Sequence, residues 1–200
     1  VKYEIKSNES KVIKEDTTKT KEKQSQPQIT TTEDKDIPIK ITGFKKAMTK
    51  SMTKANSIPQ FLYHDEYNVD QLIKLRQDTN KIYSDLKFSF LPFIIKAVSN
   101  SLLDFPELNS IVLDTTNEEG LITDYIIKSN HNISIAIDGP DGLVVPNIKQ
   151  VQLKSVKDIQ KEILRLKDKA MNRGLVYNDL ADGTFSISSI GNIGGKVVSP

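Results

Sequence analysis

The stretch Ile133 to Ile148, ISIAIDGPDGLVVPNI, constrains the fold more than any other. Two apolar runs flank Gly139-Pro140-Asp141-Gly142, residues that favour a tight reversal. The spacing predicts strands Ile133–Ile137 and Leu143–Ile148 folded back on one another, with Asp138 opening the turn. A second β-type run, Phe185 to Ile190, lies within GTFSISSIGNIGG and precedes Gly191, Gly194 and Gly195. Those glycines follow a strand but open no helical pattern, so a Gly-x-Gly-x-x-Gly nucleotide fingerprint fails. Close backbone approach or a sharp bend is the expected reason for them.

The rest of the chain supplies helices. Phe44, Ala47, Met48, Ser51/Met52 and Ala55 recur at helical spacing, and Ile58-Pro59 ends that pattern. Gln60 to Tyr67 alternates and reads as a strand. Asn68 is the expected cap of a helix carrying Leu72, Leu75 and Tyr83. Ser89 is the expected cap of a helix over Phe90–Leu103, which tolerates Pro92 in its first turn. That helix is apolar nearly all round and is expected to be central. Phe105-Pro106 stops it. Asn109–Leu113 and Tyr125–Ile127 are further strand candidates. Ser155 and Asp158 form a candidate capping box before an apolar face of Val156, Ile159, Ile163, Leu166 and Ala170. Mixed strands and helices imply an α/β or α+β fold.

Residues 1–37 read differently. Lys11 to Asp36 interleaves Lys with Glu and Asp among Thr, Ser and Gln. Such a segment buries too little apolar surface to offset its ordering entropy, so 1–37 is expected to be a disordered charged linker. Its first residues, VKYEIK, could end something upstream. Residues 38–200 are expected to form one domain portion.

Composition narrows the chemistry. The 28 basic and 26 acidic residues balance to +2, which gives no electrostatic case for nucleic acid or an anionic membrane. The chain has no cysteine, which excludes disulfides, thiolate metal sites and a cysteine nucleophile. Two histidines make a multi-histidine metal site improbable. The longest apolar run, Phe90–Ala97, is too short to span a bilayer. The chain starts with Val, so a targeting peptide is expected to be absent or removed.

In order, GFKKAMTKSM, IPQF, NVDQLIKLR, KFSFLPFIIKAVS, FPELN, NHNISIAIDGPDGLVVPNIK and GTFSISSIGNIGG resemble the catalytic domain of dihydrolipoyl acyltransferases from 2-oxo acid dehydrogenase complexes. The resemblance covers about Pro38 to Pro200 and is greatest to the branched-chain type. It implies an α/β two-layer sandwich resembling chloramphenicol acetyltransferase, the CoA-dependent acyltransferase fold, here incomplete. It also implies a trimer-based homo-oligomeric core with active sites between subunits. The implied reaction moves a branched-chain acyl group from dihydrolipoyl-lysine to CoA. Acetyl or succinyl transfer, or a non-catalytic scaffold, are the alternatives. The implied partners are the 2-oxo acid decarboxylase and dihydrolipoamide dehydrogenase, and the implied compartment is the mitochondrial matrix. No nucleic acid or membrane partner is implied. The lipoyl-lysine is expected on a domain absent from these residues.

The resemblance also carries residue roles. Ser188 matches the hydroxyl that donates to the tetrahedral oxyanion, and strand alternation sets Thr184, Ser186 and Ser188 opposite Phe185 and Ile187. Read alone, a strand-end Ser near glycines is more often a local turn hydrogen-bonder. Arg76, Ser89 and Asp138 match CoA contacts. Arg76 could face a phosphate, and its bland reading is a solvated residue beside Asp78. Asp138 suits a hydroxyl or amide of CoA. Ser189 stands where relatives have a CoA-contacting Asn, Lys167 where they have Gln, and Gln60 where they have His. The family base is the His of a His-x-x-x-Asp-Gly motif. Neither His64 nor His131 heads one, so the motif is expected beyond Pro200 and residues 1–200 alone are expected to be inactive. Both histidines are expected to be structural or exposed.

Overall fold

The computed structural model describes residues 36–113, 115–191 and 194–195. The chain divides into two units, Val1–Lys40 and Ile41–Pro200. Of the first, residues 36–40 are described and are irregular and exposed. The linker expected over 1–37 therefore lies, but for its last two residues, outside the described ones.

Helix formation in the second unit follows the sequence closely. Helix α1 spans Gly43–Ala55, α2 Asp70–Ile82, α3 Leu91–Asp104, α4 Val156–Met171, and α5 is one turn, Tyr177–Leu180. The capping box of α4 is complete: Ser155 Oγ accepts from Asp158 N, and Asp158 Oδ2 accepts from Ser155 N. Asn68 is not the cap of α2 that the sequence predicts. Its Oδ1 accepts the Asp70 N–H at 2.9 Å, although Val69 occupies the cap position itself. Ser89 does not cap α3. Phe90 holds the cap position with near-helical angles, φ −72° and ψ −28°, and no side chain caps the helix. The turn is already wound at Phe90, whose carbonyl accepts from both Phe93 and Ile94.

The strands are β1 (Ser110–Val112), β2 (Tyr125–Ile127), β3 (Ile133–Ile135), β4 (Ile137–Gly139), β5 (Gly142–Val144), β6 (Asn147–Ile148) and β7 (Phe185–Ile187). β1 pairs antiparallel with β2, and β4 with β5, while β3 lies between antiparallel β6 and parallel β7. The expected central hairpin is present in one constant register: Ile133 faces Ile148, Ile137 faces Val144 and Gly139 faces Gly142. It is split into two ladders near Pro146, which has no N–H to donate. Ile135 N still reaches Pro146 O at 2.9 Å. Asp138 pairs with Leu143 inside β4, so the turn is Pro140-Asp141 and Asp138 does not open it.

Two other expectations need correction. Gln60–Tyr67 forms no strand. Its alternation finds no partner among the described residues, and Phe61 remains 91% exposed. Helix α3 is covered on one face only: Pro92, Ile95, Ser99 and Leu102 are buried, while Ile94 and Leu103 face out.

The core joins two layers. Ile95 of α3 and Ile159 and Leu166 of α4 pack with Ile133, Ile135 and Ile148 of the three-stranded sheet and with Val151. β3 is buried on both faces, which explains its unbroken apolar character at Ile133 and Ile135. A polar lattice ties the loops to this core. Asn132 Oδ1 accepts from Gln150 N, and its Nδ2 donates to Asp182 O. Asn109 Nδ2 donates to Lys128 O and Asn130 O. Gly183 lies so close to Ser134 that a Cβ would collide with the Ser134 hydroxyl. Gly183→Ala is expected to cost about 1–2 kcal/mol through overpacking, read as a lowered denaturant midpoint at unchanged m-value. An unchanged midpoint would show that Ser134 rotates away freely. Among the described residues no helix is long and apolar enough to cross a membrane.

Candidate functional site

The end of β7 sets the position of Ser188. Phe185 and Ile187 point inward and Ser186 outward, as alternation requires. The strand stops at Ile187, three residues short of the expected end, so Ser188 and Ser189 stand just beyond it, exposed. Ser188 makes no side-chain hydrogen bond among the described residues, so the bland role of local turn bonding is not used. Beyond it the backbone turns through left-handed angles at Gly191 (φ +58°) and Gly194 (φ +83°), with nothing within 4 Å of a Cβ built at either. At both positions the left-handed φ, and not a close approach, is what favours glycine.

Arg76 is half-buried and does not pair with Asp78. Asp78 bonds Lys81 at 2.9 Å instead, and Lys81 holds its carboxyl below the usual range. The Arg76 guanidinium lies over the Phe90 ring at 4.4 Å from its centroid, and its Nε is buried with no hydrogen-bond partner. It lines a groove with Asn80, Tyr83, Ser84, Lys87 and Phe88. Asn80 builds one wall by closing a reciprocal pair with Phe88, donating to its O and accepting from its N. Ser89 is exposed and precedes Phe90 in the chain, and it is not among the residues lining that groove. Lys87 is a second cation there that sequence reasoning missed, although it heads the quoted segment KFSFLPF.

Asp138 is exposed on β4 and contacts neither Arg76 nor Ser89 among the described residues. Its hairpin is anchored elsewhere. Asp141 takes a two-point contact from Arg173, at 2.6 Å to Nε and 2.9 Å to Nη2, which lowers the Asp141 pKa. The structure thus leaves Arg76, Ser89, Asp138 and the Ser188-Ser189 pair on separate elements, with no contact among them in the described residues.

Neither histidine has the setting of a thiol base. His64 is on the exposed irregular segment after α1. His131 is buried, with Nδ1 2.9 Å from Ser99 Oγ, and burial followed by nearby Lys96 outweighs the Ser99 bond to depress its pKa. Its bond to Ser99 ties α3 to the loop before β3.

The family described as 2-oxoacid dehydrogenases acyltransferase (catalytic domain) matches residues 32–200. The chain belongs to this family. Its curated relatives include the lipoamide acyltransferase component of the mitochondrial branched-chain alpha-keto acid dehydrogenase complex of Caenorhabditis elegans. That protein is 45% identical over 167 residues, 82% of this chain and 36% of its own length. The Mus musculus counterpart is 42% identical over 88% of this chain and 35% of its own length. The acetyltransferase component of the Mycoplasma pneumoniae pyruvate dehydrogenase complex is 36% identical over 81% of this chain and 40% of its own length. The chain thus spans little more than a third of the length of these relatives.

Solved acyltransferase structures carry the same fold. A probable dihydrolipoamide acetyltransferase from Listeria monocytogenes superposes with TM-score 0.70 at 36% identity, covering 84% of this chain and 69% of the other. A truncated catalytic core of the Thermoplasma acidophilum 2-oxoacid dehydrogenase complex gives 0.73 at 31% identity, covering 82% and 74%. The expected CoA-dependent acyltransferase fold, α/β in two layers, is the fold of the family member described above.

Proposed function

We propose that this acyltransferase-family chain carries part of a site that moves a branched-chain acyl group from dihydrolipoyl-lysine to CoA. The observation that carries the reading is the 42–45% identity to branched-chain relatives over more than four-fifths of the chain, against 36% to the Mycoplasma acetyltransferase. The residues present suit CoA. An arginine whose Nε is buried without a partner, with Lys87 beside it, fits a phosphate group. Ser89, which does not cap α3, and Asp138 and Ser189 offer further polar groups.

In the proposed reaction the CoA thiol loses its proton to the family's His-x-x-x-Asp-Gly histidine, which neither His64 nor His131 supplies. The thiolate adds to the acyl thioester carbonyl. Ser188 Oγ–H donates to the oxyanion that forms, and collapse expels the dihydrolipoyl thiolate, which takes the proton. Residues from 38 onward form the catalytic portion. The chain works as a trimer-based homo-oligomer with the 2-oxo acid decarboxylase and dihydrolipoamide dehydrogenase, in the mitochondrial matrix.

The full-length protein is expected to transfer isobutyryl from dihydrolipoamide to CoA with a higher kcat/KM than acetyl or succinyl. A preference for acetyl or succinyl would overturn the branched-chain assignment, and no transfer of any of the three would leave the scaffold reading. Arg76→Ala is expected to raise the CoA KM about tenfold, the loss of one charge-assisted contact, and leave the acyl-lipoamide KM nearly unchanged. An unchanged CoA KM removes Arg76 from the site.

A further inference from the structure

The hairpin that carries Asp138 is held from outside its own sheet. Among the described residues β4 and β5 pair only with each other, and a two-stranded ladder is marginal by itself. Packing fixes its base, where Ile137 lies against the core. The tip is less well seated. A cavity of about 70 Å3 lies between Pro140 and Val144 of the hairpin and Ala170 and Leu175 at and beyond the end of α4. Arg173 and Asp141 border the same cavity and join its two sides, the guanidinium gripping the carboxylate at two points.

Arg173 reaches Asp141 from an unfavourable backbone. Helix α4 ends in a Schellman motif: Gly174 N donates to Lys169 O at 2.8 Å and Arg173 N to Ala170 O at 3.4 Å. Arg173 fills the left-handed position of that motif, at φ +55°, and Gly174 stands one residue too late to occupy it. Glycine takes this conformation without strain and arginine does not. The ion pair is small compensation in stability, since its side chains are 66% and 49% exposed and an exposed pair contributes little. Its two-point geometry instead fixes direction. Asp138 stands three residues before Asp141, exposed on the same hairpin, with Ile137 and Gly139 half-buried on either side. We infer, resting on the proposed contact between Asp138 and CoA, that Arg173 is a positioning residue: its grip on Asp141 holds the tip of the β4–β5 hairpin on the end of α4 and so sets where Asp138 meets CoA.

Calorimetric titration of CoA into the full-length protein tests this. Arg173→Gly is expected to raise the CoA Kd about fivefold, the cost of ordering a loosened tip on binding. Its melting temperature is expected to stay level or rise by up to about 3 °C, because glycine relieves the left-handed turn. A merely structural ion pair forecasts the reverse, a lower melting temperature and an unchanged Kd. Arg173→Lys keeps the charge with a one-point contact, and its Kd is expected to lie between those of Arg173→Gly and the wild type. Asp138→Ala is expected to raise the Kd as well, and adding Arg173→Gly to it is expected to raise it no further. An Asp138→Ala protein that binds CoA as the wild type does overturns the Asp138 contact itself. A defect in Asp138→Ala with an unchanged Kd in Arg173→Gly overturns only the positioning role. An Arg173→Gly defect of undiminished size on the Asp138→Ala background also overturns that role, since Arg173 then acts through some other group.

Discussion

Ser188→Ala in the full-length protein is expected to lower kcat by ~10²–10³, with little change in the KM of either substrate. The oxyanion exists only between the two thioesters, so a donor aimed at it stabilises the transition state and not the bound substrates. Geometry sharpens the expectation. Ser188 stands one residue past β7, is exposed, and spends its hydroxyl on no bond among the described residues. The fold therefore loses almost nothing when the hydroxyl is removed. The competing role, a turn hydrogen-bonder, forecasts a lower melting temperature with kcat intact. Measuring both on one variant separates them, and a kcat within about twofold of wild type would sink the catalytic assignment. Ser188→Thr, which keeps a hydroxyl, is expected to recover part of the lost rate, and Ser188→Cys much less.

Features set by neighbouring residues in the sequence were legible there. The Ser155–Asp158 box and the reversal at Pro140-Asp141 both depend on partners within a few positions. Features set by distant partners were not. Gln60–Tyr67 alternates like a strand, but alternation supplies only a face, and a ladder needs a neighbour. Ser89 has the right chemistry for a cap and the right place in sequence, yet Phe90 is already wound into the first turn. Arg76 reads as a solvated helix residue beside Asp78. Its seat over Phe90 comes from a contact between α2 and the start of α3 that no local pattern encodes. The apolar circumference of α3 overstated its burial, because apolar content does not say what covers the outer face. Family resemblance reached the fold through the order of its segments, which no single motif could have done.

The largest stability effect outside the apolar core is expected at Asp179, a residue with no role in the proposed chemistry. Its side chain is 5% exposed. It accepts from Arg165 Nη1 at 2.8 Å, from Lys169 Nζ at 3.0 Å and from Val176 N at 3.1 Å, so it pins α5 to α4. Arg165 and Lys169 are four apart and share a face of α4, a signal present in the sequence whose acidic partner only the fold identifies. Burial alone would raise the Asp179 pKa, but the bonds from Arg165, Lys169 and Val176 outweigh it and hold the group at about 2. The folded pKa is therefore below the unfolded value of about 3.9, and the carboxylate contributes stability that is fully present above pH ~4 and lost as pH falls towards ~2. That shift corresponds to about 2–3 kcal/mol. Asp179→Asn removes the charge while keeping the volume, and is expected to cost about 3 kcal/mol at pH 7, because two cations lose a nearly buried partner. Both cations are about a third exposed, at 38% and 33%, so water moderates the loss relative to a fully buried triad. Chemical denaturation of wild type and variant from pH 7 to pH 2 tests this. The gap between them is expected to stay level down to about pH 4 and then close. A gap that persists unchanged to pH 2 would show that Asp179 acts through packing and hydrogen-bond geometry and not through its charge.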